Sequence, residues 1–129
     1  YQKQAKIAVL GLAYKENTHS IKNSPSIALL NRIQDHSIRA YDPVAKTKVA
    51  GINIIRTENA MSATERADVL LVMTPWPEFS SISAKELMKS MNGRVVIDPY
   101  RVLDGKDLVE KGFVYATLGK PVRQPIRSI

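Results

Sequence analysis

The 129-residue chain has no cysteine. Disulfides, thiolate metal sites and a cysteine nucleophile are therefore excluded from it. Its two histidines, His19 and His36, fall on different expected elements, and no metal site is expected. It contains one tryptophan and no apolar run near the ~18 residues that a membrane span needs. With 44% hydrophobic residues, the composition is that of a soluble globular domain with a proper core and no membrane partner. Glycine is scarce where a dinucleotide fold would need it. Gly11 lacks the second and third glycines of a G-x-G-x-x-G turn, and Tyr14 and Lys15 crowd the loop instead. A backbone cradle for NAD is not expected on this domain. Acid is also in the minority, with 12 Asp and Glu against 19 Lys and Arg, for a net charge of +7. Such a charge suits anionic partners in general. The basic residues are scattered and do not alternate with aromatics, so nucleic acid is not the expected partner. Residues 120–129 form a basic, proline-broken end that reads as a solvated tail.

What is present is a repeated alternation of short β-branched runs with helical stretches. This pattern predicts βαβ units and a Rossmann-like three-layer α/β/α domain with a mainly parallel sheet. Strands are expected over 6–10, 37–41, 53–55, 69–73, 95–97 and 114–117. Several are continuous apolar runs, as strands covered on both faces should be. The run Val69-Leu70-Leu71-Val72-Met73 is the clearest and is expected at the centre. Ser24-Pro25 opens a helix that closes near His36 and carries Ile27, Leu30 and Ile33 on one face. Ser83 and Glu86 form a capping box for a helix ending at Asn92-Gly93. Helices are also expected over 57–66 and, briefly, over 107–111. The chain reads as one domain, 1–129, with 120–129 as its tail. Tyr1 is not a methionine, and residues 1–6 show neither a signal core nor a cleavage pattern. The expectation is a domain excised from a longer protein, with missing chemistry upstream.

A parallel sheet gathers the loops at its strand carboxyl ends along one edge, where open α/β sheets bind ligands. Those loops are 12–23, 42–46, 74–79 and 98–104. The first runs from the strand into a polar segment bracketed by Lys15 and Lys22, just before a helix start that favours anions. Lys15, directly beyond a buried strand, is read as a phosphate-neutralising charge rather than a solvated lysine. Lys22 reads either as an anion contact or as a plain surface lysine. Arg101 reaches the same edge and suits phosphate or carboxylate, unless it pairs with Asp98 or Asp104. Asp42-Pro43 stands where NAD domains carry a ribose-binding acid, but without the glycines a turn is the better reading. Trp76, between Pro75 and Pro77, reads as a ligand platform or, preferably, as a lid packed on a neighbouring domain.

Four segments in order, GLAYKENTHSIKNSPS, ADVLLVMTPWPEF, VVIDPYRVLDG and GFVYATLGKP, give the chain a family likeness. It resembles the carboxyl-terminal, nucleotide-binding domain of the UDP-glucose/GDP-mannose dehydrogenase family. The likeness spans Ile7 to Pro121. Its first segment follows the family pattern G-[LF]-[AS]-[FY]-K-x-x-T-x-D-x-R-x-S-P at Gly11, Leu12, Ala13, Tyr14, Lys15, Thr18, Ser24 and Pro25. The resemblance implies a cytoplasmic NAD-dependent oxidoreductase of polysaccharide biosynthesis that oxidises C6 of a nucleotide sugar, UDP-glucose foremost, using two NAD. The catalytic cysteine and the NAD-binding and helical domains would lie upstream, in a full-length homodimer. No catalytic residue would lie in this chain, and the fragment alone would be inactive. Tyr14, Lys15 and Arg101 would contact the UDP-sugar, and Lys22 would approach the NAD phosphates. The family also offers GDP-mannose or a UDP-N-acetylhexosamine as substrate, and a non-catalytic nucleotide-binding or dimerisation module is the reading outside it. His19-Ser20 departs from the acid-bearing family pattern and Lys22 replaces an arginine, losing its bidentate fork. His19 could add a pH-dependent charge but is better read as loop filler.

Overall fold

The computed structural model describes residues 5–12, 25–44, 53–119 and 121–125. Among the described residues six strands form one sheet: β1 (Lys6–Leu10), β2 (Ser37–Tyr41), β3 (Ile54–Arg56), β4 (Val69–Val72), β5 (Val95–Ile97) and β6 (Val114–Ala116). All neighbouring strands are parallel, in the order β3-β2-β1-β4-β5-β6. The order reverses at β1, which pairs with β2 on one side and β4 on the other. That junction is where such sheets open a crevice.

Why β1 and β4 take the middle is visible in their burial. Ala8, Val9 and Leu10 are consecutive and wholly buried. Consecutive strand residues face opposite sides of a sheet, so both faces of β1 are covered. The helices α1 (Pro25–Ile33), α2 (Ala60–Thr64) and α3 (Ala84–Ser90) supply that cover, with Leu30, Ala63 and Leu87 in the same core as the strands. The Rossmann-like reading of the sequence therefore holds. Each fully buried leucine, such as Leu10, Leu70 or Leu87, contributes about 1.5–3 kcal/mol over its exposed state.

Local signals fix the helix ends. The Asn59 side chain accepts from the Ser62 amide at 2.8 Å and starts α2, which is shorter than the expected 57–66. The helix ends at Glu65, whose ψ of 120° leaves helical geometry, and Arg66 follows at a positive φ of 60°. At α3 the expected capping box is complete: Ser83 Oγ accepts from the Glu86 amide at 3.1 Å, and Glu86 Oε1 accepts from the Ser83 amide at 3.0 Å. The expected helix over 107–111 is instead a series of turns. Asp107 has a φ of 58°, and the turn closes as the Phe113 amide donates to the Leu108 carbonyl at 2.9 Å. A left-handed first residue cannot propagate an α-helix. A 3₁₀ turn over Pro77–Ser81, not expected from the sequence, follows β4.

The basic end is also not a free tail throughout. Arg123 forms an antiparallel bridge with Tyr115 on the outer edge of β6, through backbone hydrogen bonds of 2.7 and 2.9 Å. No helix among the described residues is long and apolar enough to cross a membrane.

Candidate functional site

The shared direction of the strands brings their carboxyl ends to one edge. Six described loop segments lie there: Gly11 and Leu12, and residues 42–44, 57–59, 73–79, 98–104 and 117–119. Four were expected. The two after β3 and β6 were not singled out as site loops.

At the carboxyl end of β1 the backbone is close-packed against both β2 and β4. The Gly11 amide donates to the Tyr41 carbonyl at 2.8 Å, and the Met73 amide to the Leu10 carbonyl at 2.8 Å. Gly11 has a φ of 102°, and a Cβ there would lie 2.5 Å from Thr74 Cβ and Oγ1 and 2.6 Å from its amide nitrogen. The glycine thus admits Thr74 rather than a ligand pyrophosphate. The approach of Thr74 had no signal in the sequence around Gly11.

Asp42 fastens three neighbouring segments. Its buried carboxylate accepts from the Leu12 amide at 2.8 Å, the Val44 amide at 2.9 Å and Trp76 Nε1 at 3.1 Å. The bond to Val44 is the two-residue turn that aspartate favours, as expected for Asp42-Pro43. With its oxygens engaged in this way, Asp42 does not offer itself to ribose hydroxyls. Nor does the lone Gly11, filled by Thr74, make a phosphate cradle. Among the described residues, Gly11 and Asp42 therefore do not fit a bound dinucleotide. Trp76 is only 6% exposed, so it is neither a ligand platform nor a lid on another domain. Its ring is packed into the core of this one, and its indole N–H finds the acceptor that a buried Trp requires. Beside it, the Tyr41 hydroxyl donates to Glu78 Oε2 at 3.0 Å. Burial first, then that bond and the charges of Glu78 and Asp42, push the Tyr41 phenol up to about 12. Arg56, at the carboxyl end of β3, adds a cation that the sequence reading missed. Burial lowers its pKa and the Asp42 charge opposes that shift.

At the other end of the edge stands Arg101. The alternative of an ion pair with Asp98 or Asp104 is not what forms. Asp98 is wholly buried, and its carboxylate accepts from the Val102 amide at 3.1 Å, the Leu103 amide at 2.7 Å and the Tyr115 hydroxyl at 2.7 Å. Burial and the bond to Asp98 push the Tyr115 phenol well above its usual range. Asp104 pairs with Arg123, Nη2 to Oδ1, at 2.6 Å. Arg101 itself is exposed, with a φ of 60°, and donates from Nη2 to the Leu118 carbonyl at 3.2 Å. Exposed Tyr100 and Leu118 flank it. A cation is displayed at the ligand edge with apolar surface beside it.

Tyr14, Lys15, His19 and Lys22 lie outside the described residues. The structure describes the chain entering that loop at Leu12, held by Asp42, and leaving it into α1 at Pro25. Among the described residues no three His, Cys, Asp or Glu side chains group as metal ligands. His36 Nδ1 accepts from the Ala5 amide at 3.0 Å, a structural contact at the start of β1.

Comparison with known proteins supplies the remaining constraint. The family model described as "UDP-glucose/GDP-mannose dehydrogenase family, UDP binding domain" matches residues 8–105. The UDP-glucose 6-dehydrogenase of Rhizobium meliloti (strain 1021) is 32% identical over 123 residues, covering 91% of this chain and 28% of its own length. The enzyme of the same name from Pseudomonas aeruginosa is 29% identical over 125 residues, covering 89% of this chain and 28% of its own. Among solved structures, a UDP-D-ManNAc dehydrogenase from Pyrococcus horikoshii superposes with a TM-score of 0.74 at 30% identity, over 90% of this chain and 26% of that one. An NDP-N-acetyl-D-galactosaminuronic acid dehydrogenase from Methanosarcina mazei Go1 gives 0.80 at 26% identity, over 91% and 25%. The chain thus spans little more than a quarter of the length of the relatives it matches.

Proposed function

Because this chain belongs to the UDP-glucose/GDP-mannose dehydrogenase family, in which it corresponds to the UDP binding domain, we propose that it grips the nucleotide half of a UDP-sugar, UDP-glucose foremost. It does so as the carboxyl-terminal domain of a larger NAD-dependent nucleotide-sugar 6-dehydrogenase. The observation that carries this reading is Arg101. It is a guanidinium at the ligand edge whose two neighbouring acids, Asp98 and Asp104, are both engaged elsewhere. A planar fork in that setting suits phosphate or a sugar-end oxygen.

In this reading Lys15 neutralises the diphosphate, Tyr14 lines the same pocket, and Arg101 holds the sugar end. The sheet edge supplies rigid anchors for the loops that bear these residues: Asp42 through the Leu12 amide, and Asp98 through the Val102 and Leu103 amides. NAD, held by the upstream domain, would serve as the oxidant, and Lys22 would contact its phosphates. No group in this chain performs the oxidation. With no cysteine to carry a thioester, the isolated domain is inactive, and its part is to bind and orient. Binding energy from the remote nucleotide then supports alignment of the reacting carbon. The full-length protein is a cytoplasmic homodimer serving polysaccharide synthesis.

The test is steady-state kinetics of the full-length enzyme with Lys15→Ala and Arg101→Ala. Each substitution should lower kcat/KM for UDP-glucose by about tenfold or more, from ~1.5–3 kcal/mol per charged hydrogen bond. Wild-type kinetics in Lys15→Ala would remove that residue from the site.

A further inference from the structure

We propose that Arg123 is a positioning residue for Arg101, acting through a short strap across the open edge of the sheet. The proposal rests on the reading of Arg101 as a substrate contact. The sequence Pro121-Val122-Arg123-Gln124-Pro125 places two prolines around a three-residue extended stretch. Proline presets extended backbone and lacks the N–H to prolong a ladder, so the stretch pairs briefly and stops. It pairs at one point. The Arg123 amide donates to the Tyr115 carbonyl at 2.9 Å, and the Tyr115 amide to the Arg123 carbonyl at 2.7 Å.

The side chain then reaches two groups that hold the Arg101 loop. Arg123 Nη2 lies 2.6 Å from Asp104 Oδ1, and its guanidinium carbon lies 4.8 Å from the Tyr115 ring centroid. Tyr115, pinned from that face, donates its hydroxyl to Asp98 Oδ2 at 2.7 Å. Asp98 in turn holds the Val102 and Leu103 amides, and the Asp104 amide donates to the Arg101 carbonyl at 3.3 Å. The segment after Arg101 is therefore tethered at both acids, and both tethers lead to Arg123: one directly, the other through Tyr115.

Two features argue that this arrangement serves geometry more than stability. Arg101 is a non-glycine residue at a φ of 60°, a conformation that persists only where the surroundings over-determine it. The Arg123–Asp104 pair is 45% and 29% exposed at its side chains, and a surface pair of that kind adds little to folding. Stacking on Tyr115 together with a charged hydrogen bond gives instead a fixed angle, which arginine's planar group provides and lysine's does not.

The experiment uses the full-length protein. Amide hydrogen exchange without ligand should show faster exchange at Val102 and Leu103 in Arg123→Ala than in wild type, and unchanged protection there would overturn the strap. Titration with UDP-glucose should show Arg123→Ala weakened by about tenfold, with Arg101→Ala/Arg123→Ala no weaker than Arg101→Ala alone. Arg123→Lys should recover only part of the loss. A lowered melting temperature with wild-type affinity in Arg123→Ala, or losses that multiply in the double variant, would overturn positioning. If Arg101→Ala itself binds UDP-glucose normally, the substrate role of Arg101 fails, and the exchange data decide the strap by themselves.

Discussion

Replacing Asp98 by alanine should destabilise the domain by about 3–5 kcal/mol, because it orphans three donors at once. Oδ2 accepts from the Leu103 amide at 2.7 Å and the Tyr115 hydroxyl at 2.7 Å, both in buried surroundings; Oδ1 accepts from the partly buried Val102 amide at 3.1 Å. Each buried donor left unpaired costs about 1–3 kcal/mol, and water can reach the third more readily than the other two. A domain of this size holds only about 5–15 kcal/mol in all, so the loss is a large share. Asp98→Asn keeps one oxygen and should cost about 1–2 kcal/mol, chiefly from the amide group facing the remaining donor. Tyr115→Phe removes the second buried donor, so the double variant Asp98→Ala/Tyr115→Phe should lose at least about 1 kcal/mol less than the sum of the singles. Urea unfolding followed by circular dichroism, with the m-value checked for constancy, measures all four variants. A cost below about 1 kcal/mol for Asp98→Ala, or strict additivity with Tyr115→Phe, would refute the claim that this carboxylate organises the loop.

Two further outcomes follow from the same edge of the sheet. Gly11→Ala should cost about 2–4 kcal/mol by urea unfolding, combining a disfavoured positive φ with a clash that both the side chain and the backbone of Thr74 resist. A near-neutral result would mean that the β1/β4 junction is looser than described. Stability should also fall with rising pH between about 10, where the unfolded tyrosine ionises, and about 12, where buried Tyr41 does. In that window the folded state binds the extra proton, so its advantage is full below pH ~10 and is lost as pH rises. Tyr41→Phe should flatten the slope relative to wild type, with the alkaline contribution of Tyr115 remaining in both; equal slopes would contradict the burial of the Tyr41 hydroxyl.

Much of the sheet was legible because its central strands are continuous apolar runs, and the same burial that makes them apolar sets their place. β1, β2 and β5 fall where expected. β3 shifts from 53–55 to Ile54–Arg56, since its register is set by pairing Ile38 with Ile54, which no local pattern encodes. Caps were equally readable: Ser83 and Glu86 satisfy each other within one turn. The helix expected over 107–111 failed because Asp107 has a positive φ and opens a turn closed by bonds from the Lys111 amide to the Asp107 carbonyl and from the Phe113 amide to the Leu108 carbonyl. At the site, the sequence showed which loops share an edge but not which side chains face the ligand. Trp76 looked like a surface aromatic until its indole met Asp42, 34 residues away. Arg101 could not be separated from its neighbouring acids until Tyr115 and Arg123 were seen to occupy them. Arg123 itself looked like solvated charge, because an antiparallel bridge of one residue pair leaves no periodicity to read.

The most direct test of the account is parallel calorimetric titration of the full-length protein and its Lys15→Ala variant with UDP, UDP-glucose, GDP-mannose and a UDP-N-acetylhexosamine. A separate titration of this 129-residue domain with NAD completes it. UDP and UDP-glucose should bind saturably, about tenfold or more weakly in Lys15→Ala, and NAD should show no saturable binding to the isolated domain. Binding of NAD to the domain, or UDP-glucose affinity untouched by the lysine substitution, would contradict the proposed function.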